Sequence, residues 1–292
     1  MPFSEKLLEK SNSYNHYKSK SLKLSKENKE LKEKVKSLEK ANKDYKEDIE
    51  FLKEKIIKAE DYNRNISNEI HYALVFNDTI KESEWLKEKN FSLINAAANY
   101  SLMYYVYRVL DEVKPKNILE LGLGQTTRLT SQYANHFKDS KLTVIEDDSD
   151  WIETFSEKIE GSENIRIVQR DIEKFEFNNS ENLRFKDLLD TVGDEKYDFI
   201  IIDAPHGYIR EKGKARPLDY SRSNVWQLIP DHLADDFVII MDDYERAGEQ
   251  NTMEHVKELL KENKIFYYQH RNYGLKFQYA LFSKNYKFLA WY

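Results

Sequence analysis

The sequence predicts an α/β protein in which a long helical arm precedes a doubly wound, mostly parallel sheet of seven strands closed by a C-terminal hairpin. Three observations predict it. Apart from Pro2, glycine and proline are absent before Pro115, and the first glycine is Gly122; a stretch without either breaker can run as continuous helix. Within that stretch apolar residues recur every seven positions. From Asn117 onward, short β-branched runs alternate with helix-like segments, the pattern of a parallel sheet buried on both faces.

Composition narrows the function classes. The chain of 292 residues has room for one or two domains and a large core. It contains no cysteine, which excludes disulfides, thiolate metal sites and cysteine nucleophiles. No apolar run approaches the roughly 18 residues of a membrane span, and the opening MPFSEKLLEK lacks the apolar core of a signal peptide. A soluble, cytoplasmic protein is expected. The 46 Lys+Arg against 52 Asp+Glu give a net charge of -6, so the general attraction to phosphate backbones is missing and no nucleic-acid partner is expected. The charge is unevenly spread: residues 1–70 carry +3 and the remainder -9.

Residues 1–70 read as the arm, with a coiled-coil core at about 21–63. Leu24, Leu31, Leu38, Tyr45, Leu52 and Ala59 occupy d positions, and Asn28, Val35, Asn42, Ile49, Ile56 and Asn63 the a positions. In a parallel pair, Glu27 would meet Lys32, Lys34 meet Glu39, Asp48 meet Lys53 and Lys55 meet Glu60, all of opposite sign. Such pairs select register and orientation more than they stabilise. Asn at three a positions favours two strands. A parallel homodimer with a rod on the order of 60 Å is therefore expected; a single solvated helix is the alternative. Upstream, Lys10, Lys18, Lys20, Lys23 and Lys26 occur with no acid between Glu9 and Glu27, a pattern that suits either a solvated face or docking to an anionic lipid or glycan. A partner enzyme or membrane surface would then be the arm's target.

Residues 71–116 read as a helical connector. FSLINAAANYSLMYYVYRVLDEV (91–113) is apolar at helical spacing through Ala97, Tyr100, Leu102, Tyr104, Val106, Leu110 and Val113, so a helix packed on the main domain is expected. Residues 117–292 form that domain. Parallel strands are expected at 117–121, 142–146, 165–169, 197–203 and 237–241, with helices around 126–137, 148–159, 219–234 and 252–263. Two last strands about Asn272–Gly274 make the hairpin, and the count reaches seven.

In such sheets, ligands bind beyond the carboxyl ends of the strands. The first strand ends in Glu120-Leu-Gly122-Leu-Gly124-Gln-Thr126-Thr127, where glycines admit a ligand to the backbone and a helix N-terminus follows. Thr127 stands where a dinucleotide site carries its third glycine, which argues against a pyrophosphate ligand. The second strand ends in Glu146, whose carboxylate can accept ribose hydroxyls. On these residues the chain from about 90 to 292 resembles the class I S-adenosylmethionine-dependent methyltransferases. The resemblance implies a Rossmann-like methyltransferase sheet and S-adenosyl-L-methionine as cofactor. It places Gly122 and Gly124 against the methionine portion, Glu146 on the ribose and Asp171 beside the adenine amine, and it counts Glu120, Thr126 and Asp203 among the cofactor-binding residues.

The fourth strand ends in Asp203-Ala-Pro-His206-Gly-Tyr208 and the fifth in Met241-Asp242-Asp243-Tyr244. Converging carboxylates and a histidine suit either a hard divalent cation or proton abstraction. The arrangement resembles the catechol-type O-methyltransferases, which implies Mg2+ or Mn2+ on Asp203, Asp242 and Asp243; an Asp-Asp pair stands where that family carries Asp-Asn, which leaves the metal open. Asp-Ala-Pro-His-Gly-Tyr also resembles a segment of methyltransferases acting on sugar hydroxyls, including the glucuronoxylan enzymes. A sugar hydroxyl is a weak nucleophile that requires a base or a metal that lowers its pKa; His206 is the expected base, with Asp203 the second catalytic residue. Arg210, Lys212, Lys214, Arg216 and Arg222 follow in an acidic domain, which suits either an acidic sugar or glycan acceptor or simple balancing of neighbouring acids. Arg246 and Glu249 lie in the other loop at this edge.

Three rival readings remain. A short-chain dehydrogenase would use Tyr208 and Lys212, but that pair lies between Gly207 and Gly213 instead of on a helix. A scaffold with a degenerate methyltransferase fold would rely on the coil alone. A nucleic-acid methyltransferase would carry an Asn-Pro-Pro-Tyr-type motif after the fourth strand, and none is present.

Overall fold

A computed structural model describes residues 3–93, 98–211 and 213–291, with side chains described from Ser11 onward. It divides into two units, one up to Tyr62 and one from Asn63 to the C-terminus. Both share the first helix, α1 (Phe3–Thr79), unbroken over 77 residues as the lack of internal Gly and Pro permits. In the first unit the heptad residues Leu31, Val35, Leu38, Leu52 and Ile56 are all more than half exposed. Lys53 pairs with Glu50 at 2.8 Å and Lys43 with Glu47 at 3.7 Å along the helix surface. Among the described residues, no helix is long and apolar enough to cross a membrane.

The second unit begins inside α1. Phe76 and Ile80 are buried, with the Phe76 ring 5.8 Å from Phe91 and 6.4 Å from Tyr107. The connector differs from expectation. Its helix α2 runs only over Tyr100–Arg108, after Asn99, whose side chain accepts the Leu102 N–H and so sets the start. Residues 91–93 and Ala98 lie outside any helix, and Ala97 lies outside the described residues. A π-helical turn, Val109–Val113, finishes the segment at Lys114 in the left-handed region. Tyr104, Tyr105 and Tyr107 are core residues.

The sheet domain then follows in chain order: β1 (Asn117–Leu121), α3 (Gln125–His136), β2 (Lys141–Glu146), α4 (Ser149–Ser156), β3 (Ile165–Gln169), β4 (Ile172–Phe177), β5 (Ser180–Phe185), α5 (Leu188–Val192), β6 (Tyr197–Ile202), β7 (Tyr208–Glu211), β8 (Lys214–Pro217), β9 (Leu233–Met241), α6 (Ala247–Glu262), β10 (Tyr268–Tyr273) and β11 (Phe277–Phe282). The seven-stranded sheet has the order β10-β11-β9-β6-β1-β2-β3. Strands β3, β2, β1, β6 and β9 are parallel, and β11 enters antiparallel to β9 as the inner half of the closing hairpin. Alternate side chains enter two cores: Ile118, Val144, Phe199, Ile201 and Val238 on one face, Leu119, Ile145, Ile200, Ile202 and Ile239 on the other.

Three local expectations are corrected. No helix spans 219–234; a short 3-10 turn (Ser223–Leu228) occupies its middle, and Ile229, preceding Pro230, is extended because proline disfavours helix at the residue before it. Two hairpins are additional: β4–β5 lies where no element was expected, and β7–β8 replaces a segment read as loop. The closing turn lies at Gly274–Lys276, since β10 continues through Asn272 to Tyr273.

Candidate active site

The parallel strands place five segments along one edge. The turn after β1 is held by the Gly122 N–H, which donates to Ile145 at 2.8 Å. Gly122 has φ +108°, and a Cβ there would lie 3.1 Å from Ala204 Cβ, so the glycine turn and the loop after β6 touch. At Gly124 the Cβ position faces open space, with nothing within 4 Å. Thr127 closes the helix start: its hydroxyl accepts the Gly124 N–H at 2.9 Å and its own N–H returns to Gly124 at 3.0 Å. The residue that replaces a third glycine thus acts as a helix cap.

Glu120 and Thr126 face each other in the core. Thr126 donates to one Glu120 oxygen and Thr130 to the other at 2.9 Å, and Glu120 has no exposed surface. Strand alternation directs Glu120 with Ile118 toward α3. Burial pushes its carboxyl up to about 7, against the three threonine hydroxyls that favour the charged form. Neither side chain is presented to the cleft as the resemblance implied.

Glu146 is nearly buried and ties two loops together: Oε2 accepts the Leu123 N–H at 2.9 Å, and Oε1 accepts those of Asp147 at 2.8 Å and Asp148 at 3.2 Å. Burial, then the Glu146 charge, pushes the Asp147 carboxyl up to about 6. Trp151 donates Nε1–H to the Leu123 carbonyl at 2.7 Å, so both peptide groups of the residue between the two glycines are held. Nothing in the local sequence distinguished this tryptophan. Asp171 is exposed at the mouth of the β4–β5 hairpin, its carbonyl accepting the Lys186 N–H; a strand follows it, so it caps no helix.

The acid residues do converge. Suitable oxygens of Asp203, Asp242 and Asp243 lie within 4.8 Å of one another. Between them lies Arg222, read from sequence as a cation of the loop mouth but buried, with 3% of its side chain exposed. It donates to the Asp242 carbonyl at 2.8 Å and Asp243 Oδ2 at 2.5 Å, and approaches Asp203 Oδ1 at 3.1 Å. Arg246 meets Asp243 at 2.9 Å, and Lys276 stands 3.5 Å from both Asp242 and Asp243. Burial, reinforced by Asp242 and Asp243 against the opposing Arg222, pushes the Asp203 carboxyl up to about 7. For Asp243 burial acts upward, but Arg222, Lys276 and Arg246 together hold it below the usual range. These three cations face four carboxylates, Glu249 included, and Arg222 bridges Asp203 and Asp243. The set as folded does not fit Mg2+ or Mn2+.

His206 is exposed beside Tyr208, ring centres 4.9 Å apart, and burial followed by Arg210 lowers its pKa. Arg210 lies over the Tyr208 ring, and Arg216 pairs with Glu181 and Glu211 at 3.4 Å, both on the β7–β8 hairpin. Lys212 lies outside the described residues. Glu249 is buried in the first turn of α6, 3.8 Å from Arg222.

Behind the acids runs a buried polar chain that the sequence did not reveal. Gln278 donates to Asp242 Oδ1 at 2.8 Å and to Asn99 Oδ1 at 3.0 Å, and Asn99 in turn donates to Glu69 of α1 at 2.8 Å. Only the tertiary fold brings residues so far apart in the chain together.

A family model described as ribosomal RNA adenine dimethylase matches residues 82–199. A search of curated proteins finds no match by sequence. Among solved structures, the chain is similar to the O-methyltransferase TomG from Streptomyces achromogenes, involved in tomaymycin synthesis and in complex with SAM, at 15% identity and TM-score 0.47 over 76% of this chain and 98% of that one. It is also similar to an O-methyltransferase from Bacillus cereus in complex with SAH, at 14% identity and TM-score 0.45 over 74% and 91%. A methyltransferase from Geobacter sulfurreducens shows 12% identity and TM-score 0.43 over 64% and 81%.

Proposed function

We propose that the protein is an S-adenosylmethionine-dependent O-methyltransferase acting on a hydroxyl of a sugar or glycan. The observation that carries the reading is the contact between the glycine turn and the Asp203 loop at Gly122 and Ala204, which puts a ligand cradle and an acid edge side by side. The residues fit the cofactor: Gly124 opens on space, and Leu123 is fixed from both sides by Glu146 and Trp151. Bound there, the cofactor supplies a sulfonium methyl: the acceptor oxygen forms the new C–O bond as the C–S bond breaks and its electron pair stays on sulfur.

The chain's own part is to remove the hydroxyl proton and hold the oxygen in line. Asp203 is the favoured base, because a carboxyl whose pKa lies near 7 is matched to proton transfer at neutral pH. His206 lies farther out on the same loop and serves the acceptor's rim. Arg210 and Lys214 on the neighbouring hairpin suit an acidic acceptor, since both are exposed. The exposed apolar heptads of α1 support a parallel homodimer through the arm.

A second reading, RNA adenine methylation, is favoured by the family match alone. That match stops at residue 199, before Asp203 and the whole acceptor edge, and the loop there reads Asp-Ala-Pro-His. The test is calorimetric titration with S-adenosylmethionine, then methyl transfer to a panel of neutral and acidic sugars and polysaccharides alongside RNA. Heat and sugar methylation support the proposal. Absence of heat favours a non-catalytic scaffold, and transfer to RNA alone favours the second reading.

A further inference from the structure

The acid edge carries a cation of its own. Lys276, on the turn between β10 and β11, places Nζ 3.5 Å from Asp242 Oδ2 and 3.5 Å from Asp243 Oδ1. Both oxygens are buried and accept no hydrogen bond. Their sister oxygens are committed elsewhere, Asp242 Oδ1 to Gln278 at 2.8 Å and Asp243 Oδ2 to Arg222 at 2.5 Å. The ammonium therefore faces the two carboxylate oxygens that a divalent ion would take.

The backbone under Lys276 is built to keep it there. The Leu275 N–H donates to Glu69 at 3.1 Å, and the Lys276 carbonyl accepts from Asn99 and Gln278, each at 3.3 Å. A β-carbon on Gly274 would collide with Glu69 and Ser101, so the turn fits only in this close approach. A dication entering between the carboxylates would sit beside this ammonium and Arg222, and in a poorly solvated site that like-charge repulsion opposes its binding.

The geometry points to Lys276 as the resident cation of the site: its ammonium, backed by Arg222, takes the place of a divalent metal on Asp242 and Asp243, and methyl transfer proceeds without metal. This rests on the methyltransferase reading. Lys276 is a positioning residue for the carboxylates, and its charge lies beside Asp203, where an acceptor oxygen gains negative character as it loses its proton.

The test uses the full chain and manganese. Wild-type protein in millimolar Mn2+ should leave the free-ion electron paramagnetic resonance signal unchanged. Lys276→Met should withdraw one equivalent of signal per chain, and Lys276→Arg, which keeps the charge, none. Turnover of the wild type should be indifferent to EDTA. One Mn2+ bound per wild-type chain, a Lys276→Met chain that is folded by circular dichroism yet gains no Mn2+, or loss of turnover in EDTA would each overturn the inference. If Lys276→Met does not fold, the wild-type titration decides. Absence of S-adenosylmethionine binding by the wild type would remove the methyltransferase reading and leave the manganese result to judge Lys276.

Discussion

Glu69 and Leu275 lie 206 residues apart, yet a Glu69 oxygen accepts the Leu275 N–H at 3.1 Å. The same carboxylate accepts the Tyr100 N–H at 2.5 Å and an Asn99 amide proton at 2.8 Å. One side chain of α1 thereby fixes the start of α2 and the turn that carries Lys276. Glu69→Ala would leave three donors without their acceptor in a buried setting, and a loss of about 3 kcal/mol is expected. Urea unfolding measures it; a loss below the usual surface effect would show that water replaces the carboxylate.

The same contact separates two truncations. Removing residues 1–62 should leave a folded protein that binds cofactor and sediments as a monomer. Removing 1–70, the arm as read from sequence, also removes Glu69 and should give a chain that unfolds at lower urea. Sedimentation and unfolding of the two truncated proteins check this; a dimer persisting in the first would mean that the sheet domain self-associates.

Asp203→Asn should lower turnover about a hundredfold or more, the usual contribution of a general base, with cofactor affinity nearly intact. Because the base must be ionised, wild-type turnover should rise with pH through about 7. A flat profile across that range, measured under saturating acceptor, would assign the proton to another group.

Glu120 makes a prediction of opposite flavour, on stability. Its folded pKa is raised to about 7, so the folded state holds a proton that the unfolded state has already released. Its stabilising contribution is complete below the unfolded pKa and fades as pH rises through about 7, by an amount on the order of 3 kcal/mol. Glu120→Gln, which cannot ionise, should flatten that part of the unfolding free energy against pH. Parallel curves for the two proteins would place the titration elsewhere.

Trp151→Ala would release the Leu123 carbonyl from its donor. Loosening the turn between Gly122 and Gly124 should weaken cofactor binding about tenfold, the worth of one well-placed hydrogen bond, while Trp151→Phe, equally without the donor, should match it. Calorimetry checks the pair; retention of affinity in both would make the ring dispensable.

The sheet was legible because burial on both faces leaves a written mark. Runs such as Phe199–Ile202 and Phe237–Met241 are apolar without alternation, and each run marks a strand. The ends of those strands were legible too, since an acid or glycine directly after such a run has few places to go. The hairpins β4–β5 and β7–β8 were missed because segments such as 172–177 and 208–211 mix charged and apolar residues without a clean period of two. The helix expected over 219–234 failed at Arg222, whose left-handed backbone turns its guanidinium inward toward three aspartates.

Sequence by itself therefore determined the strands of the main sheet, the long helix, and the turn and acids at the strand ends, all of which depend on neighbours within a few positions. The tertiary structure decided what those acids face. Arg222 comes from the loop after β8 and Lys276 and Gln278 from the β10–β11 hairpin, and the latter two meet Asp242 or Asp243 only once that hairpin has docked against β9. A buried charge selects its partner by distance in space, and the spacing of residues along a chain carries no record of that distance once the chain has crossed the sheet.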